Sequence, residues 1–455
     1  MMELKDKKIA IIGVGSTGIA TIRFVLKHGG IVTAYDQKSI SELSNINDIR
    51  TKITVVDNWD GKKIDNSELI IVSPGVPLAL TGIQSAKDKG VEVISEIEFA
   101  SRFTKKPIIG ITGTNGKSTT VTLLGQILIN AGKKVGVGGN IGTPFVQFIE
   151  NDDDYEMYLL ELSSYQLEGI VYFKPWIAGL LNITEDHLDR YKDMNEYARA
   201  KFRIFMNQSA DDYAIINAED KYIVKGKRNI PSRPYCFTTS KRTRRGAYYK
   251  EGKIIYVDGS GHRTVFKLDN PSLSGMHNIQ NAMACIIAAK LIDVPDTVVQ
   301  ETIDHFRSLP HRIELVADVN GVRYYDDSKA TNVDAVVVAL KSLPSPIILI
   351  MGGRDKQGNY SPLSELIREK VKLLIVMGEA KERIIKAFQN LVKIVSVDSM
   401  ESAVATAINS AEKGDSVLLS PACSSFDMFT DYKQRGEVFR SAVINMNRKR
   451  ANEGL

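Results

Sequence analysis

Ile108-Ile109-Gly110-Ile111-Thr112-Gly113-Thr114-Asn115-Gly116-Lys117-Ser118-Thr119 is the stretch on which the reading of this 455-residue chain turns. A short apolar run, predicted as a buried strand, passes straight into a glycine-containing loop. A helix pattern follows and stops at Ala131-Gly132-Lys133-Lys134, where glycine and lysines mark a helix C-terminus. At such a junction the loop's backbone N–H groups cradle phosphates. Lys117 would reach the β- and γ-phosphates, and Ser118 or Thr119 would help hold Mg²⁺. In the general phosphate-loop pattern a glycine stands five positions before Gly116; here that position is Ile111, and Gly113 lies closer in, so the loop is a shorter variant.

Working outward, Thr104-Lys105-Lys106-Pro107 reads as a linker, because Pro107 disfavours helix at the residue before it. Ahead of it, Lys8 to Ile12 is a strand that runs into Gly13-Val14-Gly15-Ser16-Thr17-Gly18 and a helix, and the next strand, Ile31 to Tyr35, ends at Asp36. This is the fingerprint of a dinucleotide site. The same helix terminus suits any diphosphate, a UDP-sugar included, and a tight turn with close helix packing is the structural alternative. A nicotinamide-dependent oxidoreductase is therefore one reading of the first block. A further strand, Glu68 to Val72, ends at Ser73-Pro74-Gly75. Past the loop, strands are predicted at Met157 to Leu160 and Trp176 to Leu181. A β-rich stretch over 213–268 reads as a small appended sheet, and a helix runs from His277 to Leu291. Ser308-Leu309-Pro310 is a second linker, and beyond it strands at Val322 to Tyr325, Pro346 to Met351, Leu373 to Met377 and Ser416 to Leu419 alternate with helices. Such alternation predicts parallel-sheet α/β domains. At roughly 150 residues per domain the length suits three.

Composition narrows the class. With 43% apolar and 25% charged residues the chain is globular, and 59 Lys+Arg against 54 Asp+Glu leave a net charge of +5. That suits a phosphorylated ligand and falls short of a nucleic-acid footprint. The one basic run, Lys241-Arg242-Thr243-Arg244-Arg245, reads as a solvated loop. Cys236, Cys285 and Cys423 have no metal-ligand spacing and fit a reducing compartment. No apolar run approaches the roughly 18 residues needed to span a bilayer, and the amino terminus lacks a signal-peptide core, so a soluble cytoplasmic protein is expected.

Three residues stand out as chemistry near the phosphate loop. Glu161 ends the Met157 to Leu160 strand, where α/β sheets bind ligands. His187 follows the Trp176 to Leu181 strand within Asn182-Ile183-Thr184-Glu185-Asp186-His187, and is either a metal ligand or a packing residue. Lys201 lies in a helix predicted from Met194 to Met206, in the middle of an apolar stripe between Tyr197 and Phe205. Helix geometry favours a lysine that snorkels to solvent. The alternative is a buried lysine, modified or paired with a charge or metal.

Together these motifs, with Glu161-Leu162-Ser163-Ser164-Tyr165-Gln166-Leu167, His277-Asn278-Ile279-Gln280-Asn281-Ala282, His311-Arg312-Ile313-Glu314 and Asp326-Asp327-Ser328-Lys329-Ala330-Thr331-Asn332, resemble the Mur ligase family of ATP-dependent amide-forming enzymes. The likeness covers essentially the whole chain. Gly13 to Gly18, Ser73-Pro74-Gly75 and Leu419-Ser420-Pro421-Ala422-Cys423-Ser424-Ser425-Phe426-Asp427 are most similar to the D-glutamate-adding branch.

The resemblance implies three α/β domains. A Rossmann-like domain over 1–104 would bind the UDP substrate, a central phosphate-loop parallel-sheet domain over 105–308 would bind ATP, and a Rossmann-like domain over 309–455 would dock the amino acid. It implies ATP-dependent joining of D-glutamate to UDP-N-acetylmuramoyl-L-alanine in cytoplasmic cell-wall precursor synthesis, by a monomer with no nucleic-acid or membrane partner. Ser16, Thr17, Asp36 and Ser73 would line the UDP site, with Asn140 near the sugar and L-alanine. Gly113, Thr114, Asn115, Gly116, Lys117, Ser118 and Thr119 would hold the ATP phosphates, while Asn278, Arg312 and Asp327 would grip the nucleotide. Two Mg²⁺ ions would rest on Ser118, Glu161, His187 and Lys201, the last carried as a carbamate formed from CO₂. Lys329, Thr331, Lys356, Ser425 and Tyr432 would face the incoming amino acid, with Lys117, His187, Lys201 and Lys329 the catalytic set. Gln37, where a hydroxyl residue is common, and Tyr432 depart from the family pattern. The alternatives are an L-alanine-adding or folylpolyglutamate synthase-like relative, the oxidoreductase, and a non-catalytic nucleotide sensor of the same fold.

Overall fold

The computed structural model describes residues 2–43, 46–188, 190–273, 275–307, 310–355 and 358–453, the side chains of 449–453 excepted. Lys356 and two residues of the second linker, Ser308 and Leu309, lie outside the described residues. The chain divides into two compact units, Met1–Ile183 with Asn195–Phe306, and Thr184–Met194 with Arg307–Leu455. No helix among the described residues is long and apolar enough to cross a membrane.

The first unit contains two sheets. In the first, β1 (Lys8–Ile12), β2 (Ile31–Tyr35), β3 (Thr54–Val56), β4 (Leu69–Val72) and β5 (Glu92–Ser95) lie in the order β3-β2-β1-β4-β5, all parallel. The helix after β1 spans Ser16–Lys27 and buries Ile19, Ile22, Phe24 and Val25. In the second sheet β6 (Ile108–Thr112), β7 (Val135–Gly139), β8 (Met157–Glu161), β9 (Ile177–Leu180), β10 (Tyr213–Asn217) and β11 (Arg233–Thr238) continue into β12 (Gly246–Lys250), β13 (Lys253–Val257) and β14 (Arg263–Lys267). The order is β14-β13-β12-β11-β10-β9-β6-β8-β7. The 213–268 stretch is therefore not an appended sheet. β10 pairs in parallel with β9, Ala214 opposite Ala178, so the stretch prolongs the central sheet, turning antiparallel only at β12–β14.

β6, an interior strand flanked by β9 and β8, is buried at every position because helices cover both faces of a parallel sheet. The helices Lys117–Asn130 and Met276–Leu291 supply much of that cover through Leu124, Ile127, Met283 and Ile287. Two buried carboxylates join the two sheets' domains. Glu98 Oε2 accepts the N–H groups of Val171, Tyr172 and Phe173 at 2.7–2.9 Å, and Glu96 Oε1 accepts that of Val146 at 2.7 Å.

In the second unit β15 (Glu314–Val319), β16 (Val322–Asp326), β17 (Ile347–Gly352), β18 (Val371–Met377), β19 (Ile394–Ser396) and β20 (Ser416–Leu419) form a sheet in the order β15-β16-β20-β17-β18-β19. Among the described strands of this sheet only the β15–β16 pairing is antiparallel. Apolar clusters line both faces, and the helix Tyr432–Glu453 packs Phe439 and Val443 against one of them.

Candidate functional site

The phosphate loop leaves the carboxyl end of β6 and becomes helical at Lys117. The N–H groups of a helix's first turn have no intrahelical acceptor, which makes this end an anion site. Gly116 has a positive φ of 85°, and a Cβ there would run into the amide oxygen of Asn281, a buried residue of the helix Met276–Leu291. No other residue type fits. Asn182, just past β9 on the neighbouring strand, braces the loop from the side. Its Oδ1 accepts the Asn115 N–H at 2.8 Å, its Nδ2 donates to the Asn115 carbonyl at 3.0 Å, and its own carbonyl accepts the Thr114 N–H at 2.9 Å. Lys117 is folded back, donating to the carbonyls of Gly113 at 2.9 Å and Thr114 at 2.7 Å. Ser118 and Thr119 are buried.

Glu161 sits at the end of β8 in register with Ile111 of β6, so its carboxylate stands at the same sheet edge as the loop. It is 2% exposed. Oε1 accepts the Asn140 side-chain amide at 2.9 Å, and Oε2, fully buried, has no hydrogen-bond partner among the described residues. An orphaned buried carboxylate oxygen beside a phosphate loop is the donor a divalent cation needs, so these residues fit Mg²⁺.

Lys201 does not snorkel. The helix runs over Met194–Phe202, gives way to a 3₁₀ turn at Arg203–Phe205, and buries the lysine to 1% exposure. Its Nζ donates to the Gly113 carbonyl at 2.8 Å and stands 4.7 Å from the centre of the Tyr197 ring. The Nζ atoms of Lys117 and Lys201 thus share one carbonyl oxygen at the mouth of the loop. Asn278 donates weakly to the Ser272 carbonyl at 3.4 Å.

In the first domain Gly18 is required for packing, because a Cβ there would collide with the Gly13 carbonyl. Gly15 faces open space, which leaves its backbone free for a ligand. Asp36 accepts the Val14 N–H at 2.6 Å and the Lys38 N–H at 2.9 Å, and the Ser73 hydroxyl donates to the Gly13 carbonyl at 2.8 Å. Asp36 and Ser73 therefore shape the glycine loop as well as lining it. Ser16 is exposed and Thr17 half-buried.

The second unit places Asp327 and Lys329 past the carboxyl end of β16 and Ser425 past that of β20. Asp327 accepts the Ser420 hydroxyl at 2.8 Å. Burial pushes its carboxyl up to about 7, against the opposing effects of that hydrogen bond and the Arg312 guanidinium. Arg312 Nε is buried with no hydrogen-bond partner among the described residues. Its neighbours His311 (φ 65°) and Ile313 (φ 46°) both lie in the left-handed region, a strained setting that is costly for a β-branched residue. His311 Nδ1 bonds Asp326 Oδ2 at 2.7 Å. Lys329 Nζ stands 5.1 Å from the centre of the Tyr432 ring. Ser425 is buried, whereas its neighbour Phe426 is 61% exposed. Thr331, Asn332, Tyr360 and Ala422 line a recess together with Asp186 and His187, which belong to the 184–194 segment of this unit. His187 has φ 57°, and Asp186 Oδ2 accepts the Asn332 amide at 3.2 Å.

Sequence reasoning missed the brace from Asn182, the collision surface of Asn281, and the Ser420 partner of Asp327. A polar residue ending the strand beside the loop strand was the available signal for Asn182.

Family models match the chain in three consecutive stretches: Mur ligase MurD-like, N-terminal domain at 7–95, Mur ligase middle domain at 111–289, and Mur ligase, glutamate ligase domain at 311–423. Among curated proteins, a UDP-N-acetylmuramoylalanine–D-glutamate ligase of Geotalea daltonii is 44% identical over 446 residues, covering 97% of this chain and 98% of the relative. One of Pelobacter propionicus is 42% identical over 448 residues, covering 97% and 99%. Among solved structures, the UDP-N-acetylmuramate-alanine ligase of Thermotoga maritima superposes with a TM-score of 0.62 at 17% identity over 97% of this chain and all of that one. A pseudomurein peptide ligase type C of Methanothermus fervidus gives 0.62 at 20% identity, with 97% and 100% coverage. Those two show the fold; the match of the curated relatives along nearly their whole length shows more, and the chain belongs to the Mur ligase family.

Proposed function

We propose that the chain joins D-glutamate to UDP-N-acetylmuramoyl-L-alanine at the expense of ATP, within peptidoglycan precursor synthesis. The observation that carries this is the near-full-length identity, above 40%, to ligases named for that reaction. The braced phosphate loop supplies matching chemistry. A carboxylate does not react with an amine at neutral pH, because oxygen is too poor a leaving group. Transfer of the ATP γ-phosphoryl group to the L-alanine carboxylate gives an acyl phosphate and ADP. The D-glutamate amine then attacks the acyl carbon, phosphate leaves, and the amine's extra proton passes to a base.

In this reading the loop N–H groups from Thr114 to Thr119 hold the phosphates, and Lys117 leaves its two carbonyls to meet the γ-phosphoryl charge. Asn278, Arg312 and Asp327 grip the nucleotide. Ser16, Thr17, Asp36, Ser73 and Asn140 take the UDP substrate, and Lys329, Thr331, Lys356, Ser425 and Tyr432 take the amino acid. Ser118, Glu161, His187 and Lys201 would hold two Mg²⁺ ions. When bound, the metal neutralises charge on the transferring phosphoryl group.

Lys201 is read as a carbamate. Its neutral amine attacks CO₂, the N–C bond forms, an electron pair moves to oxygen and a proton is released. That replaces the second ammonium at the Gly113 carbonyl with an anion. It relieves the like-charge pairing with Lys117 and supplies a metal ligand. The domain limits 1–104, 105–308 and 309–455, the cytoplasmic setting and a monomeric state belong to the same proposal.

The test is phosphate release in the presence of ATP, Mg²⁺ and UDP-N-acetylmuramoyl-L-alanine. D-glutamate is expected to stimulate it, and L-glutamate, L-alanine and lysine are not. No stimulation by D-glutamate would overturn the assignment.

A further inference from the structure

Arg435 lies in the first turn of the helix Tyr432–Glu453 and is 1% exposed. Among the described residues it forms no ion pair. Its guanidinium instead donates to three backbone carbonyls: Nη2 to Ser328 at 2.8 Å and Cys423 at 3.1 Å, and Nη1 to Ser424 at 3.3 Å. Ser328 belongs to the loop after β16, and Cys423 and Ser424 to the loop after β20, two strands paired in parallel. Two of the three tethered carbonyls lie next to a proposed site residue, Ser328 before Lys329 and Ser424 before Ser425.

Burying a guanidinium with no carboxylate in hydrogen-bond reach is a costly way to hold a fold together. What the guanidinium supplies is a rigid planar fork whose donors fix distances between separate acceptors. The adjoining Gly436 fixes the helix from the other side. A Cβ there would collide with His311 Nδ1, Asp326 Oδ2 and Ser328 Oγ.

We propose that Arg435 is a positioning residue for the incoming amino acid: by bridging these carbonyls it sets the spacing between the loop bearing Lys329 and Thr331 and the loop bearing Ser425. The inference rests on the reading, made above, that those three residues face the amino acid.

The experiment compares Arg435→Lys and Arg435→Ala, varying each of the three substrates in turn and recording thermal unfolding. One ammonium cannot span both loops, so both variants are expected to raise KM for D-glutamate about tenfold or more, with KM for ATP and for the UDP substrate within about twofold. Millimolar guanidinium chloride should lower the raised KM of Arg435→Ala. Should Arg435→Ala fail to fold, Arg435→Lys carries the same comparison. An unchanged D-glutamate KM in folded Arg435→Lys would overturn the proposal. So would a parallel loss of all three KM values, kcat and thermal stability, the mark of a merely structural role. Ser425→Ala and Lys329→Ala, measured alongside, separate the two layers. If they leave the D-glutamate KM unmoved, the reading of the subsite fails. If they raise it and Arg435→Lys does not, only the role given to Arg435 fails.

Discussion

Replacing Asn182 by alanine removes both side-chain hydrogen bonds that brace the phosphate loop, at 2.8 and 3.0 Å, and leaves the backbone bond from Thr114 to the residue 182 carbonyl in place. Each neutral hydrogen bond contributes about 0.5–1.5 kcal/mol net, so the variant loses about 1–3 kcal/mol of preference for the braced conformation. Asn182 stands at the end of a strand and touches loop backbone, so the loss falls on loop order and leaves the packing of the sheet intact. A loop that must be re-ordered when nucleotide binds taxes affinity by the same free energy, equivalent to about 5- to 150-fold. The expected result is a KM for ATP raised within that range, a matching loss of ADP affinity by calorimetry, and an unchanged KM for the UDP substrate. Asn182→Asp sharpens the test. It keeps an acceptor for the Asn115 N–H but sets a carboxylate oxygen against the Asn115 carbonyl, and should bind ATP more weakly than the alanine variant. An ATP KM within about twofold of the parent in folded Asn182→Ala would refute the bracing argument, as would equal losses for ATP and the UDP substrate.

Lys117→Ala should abolish turnover while calorimetry finds the affinity for a UDP ligand intact; loss of both would contradict the assignment of the loop to ATP. Lys201→Ala should lose most activity and regain part of it with added short carboxylic acids, and intact-mass analysis of active, bicarbonate-supplied enzyme should show the CO₂ adduct on the parent alone. An unmodified lysine in that active enzyme would count against the carbamate. Glu96 is buried at the junction of the first two sheets' domains, and burial pushes its carboxyl up to about 7 from the ordinary 4.5. Between those two values the unfolded chain releases this proton and the folded chain keeps it. The group's contribution to stability is therefore full below about pH 4 and falls as pH rises towards 7. Glu96→Gln retains the acceptor for the Val146 N–H but cannot ionise, so it should gain on the parent as pH rises, by up to about 3 kcal/mol at pH 8. Denaturant unfolding at pH 5 and pH 8 checks this, and a parent–variant difference that does not change with pH would refute it.

Much of the site could be read along the chain because its chemistry is local. A strand, a loop with Gly113 and Gly116, and Lys117-Ser118-Thr119 opening a helix specify, through backbone geometry alone, a helix N-terminus open to an anion. Glu161 was legible for a related reason, since strand ends in parallel sheets face ligands. Lys201 was half legible. Periodicity placed it in the apolar stripe of its helix, but whether its head reaches solvent or stays inside depends on the Gly113 carbonyl, 88 positions earlier.

The sequence by itself determined the three-block α/β plan, the phosphate loop, the glycine turn after β1 and the family resemblance, since each rests on periodicity or on motifs a few residues long. Only the tertiary structure decided which side chains meet. The sheet order β10-β9-β6-β8 set Asn182 beside Asn115 and Glu161 beside Ile111, and it made the 213–268 stretch a continuation of the central sheet. The pairing of β16 with β20 brought the Ser328 and Ser424 carbonyls within reach of one guanidinium. The physical reason is that side-chain periodicity states which face of an element is buried. It carries no information on which distant strand will be its neighbour, or on which polar atoms that neighbour will present.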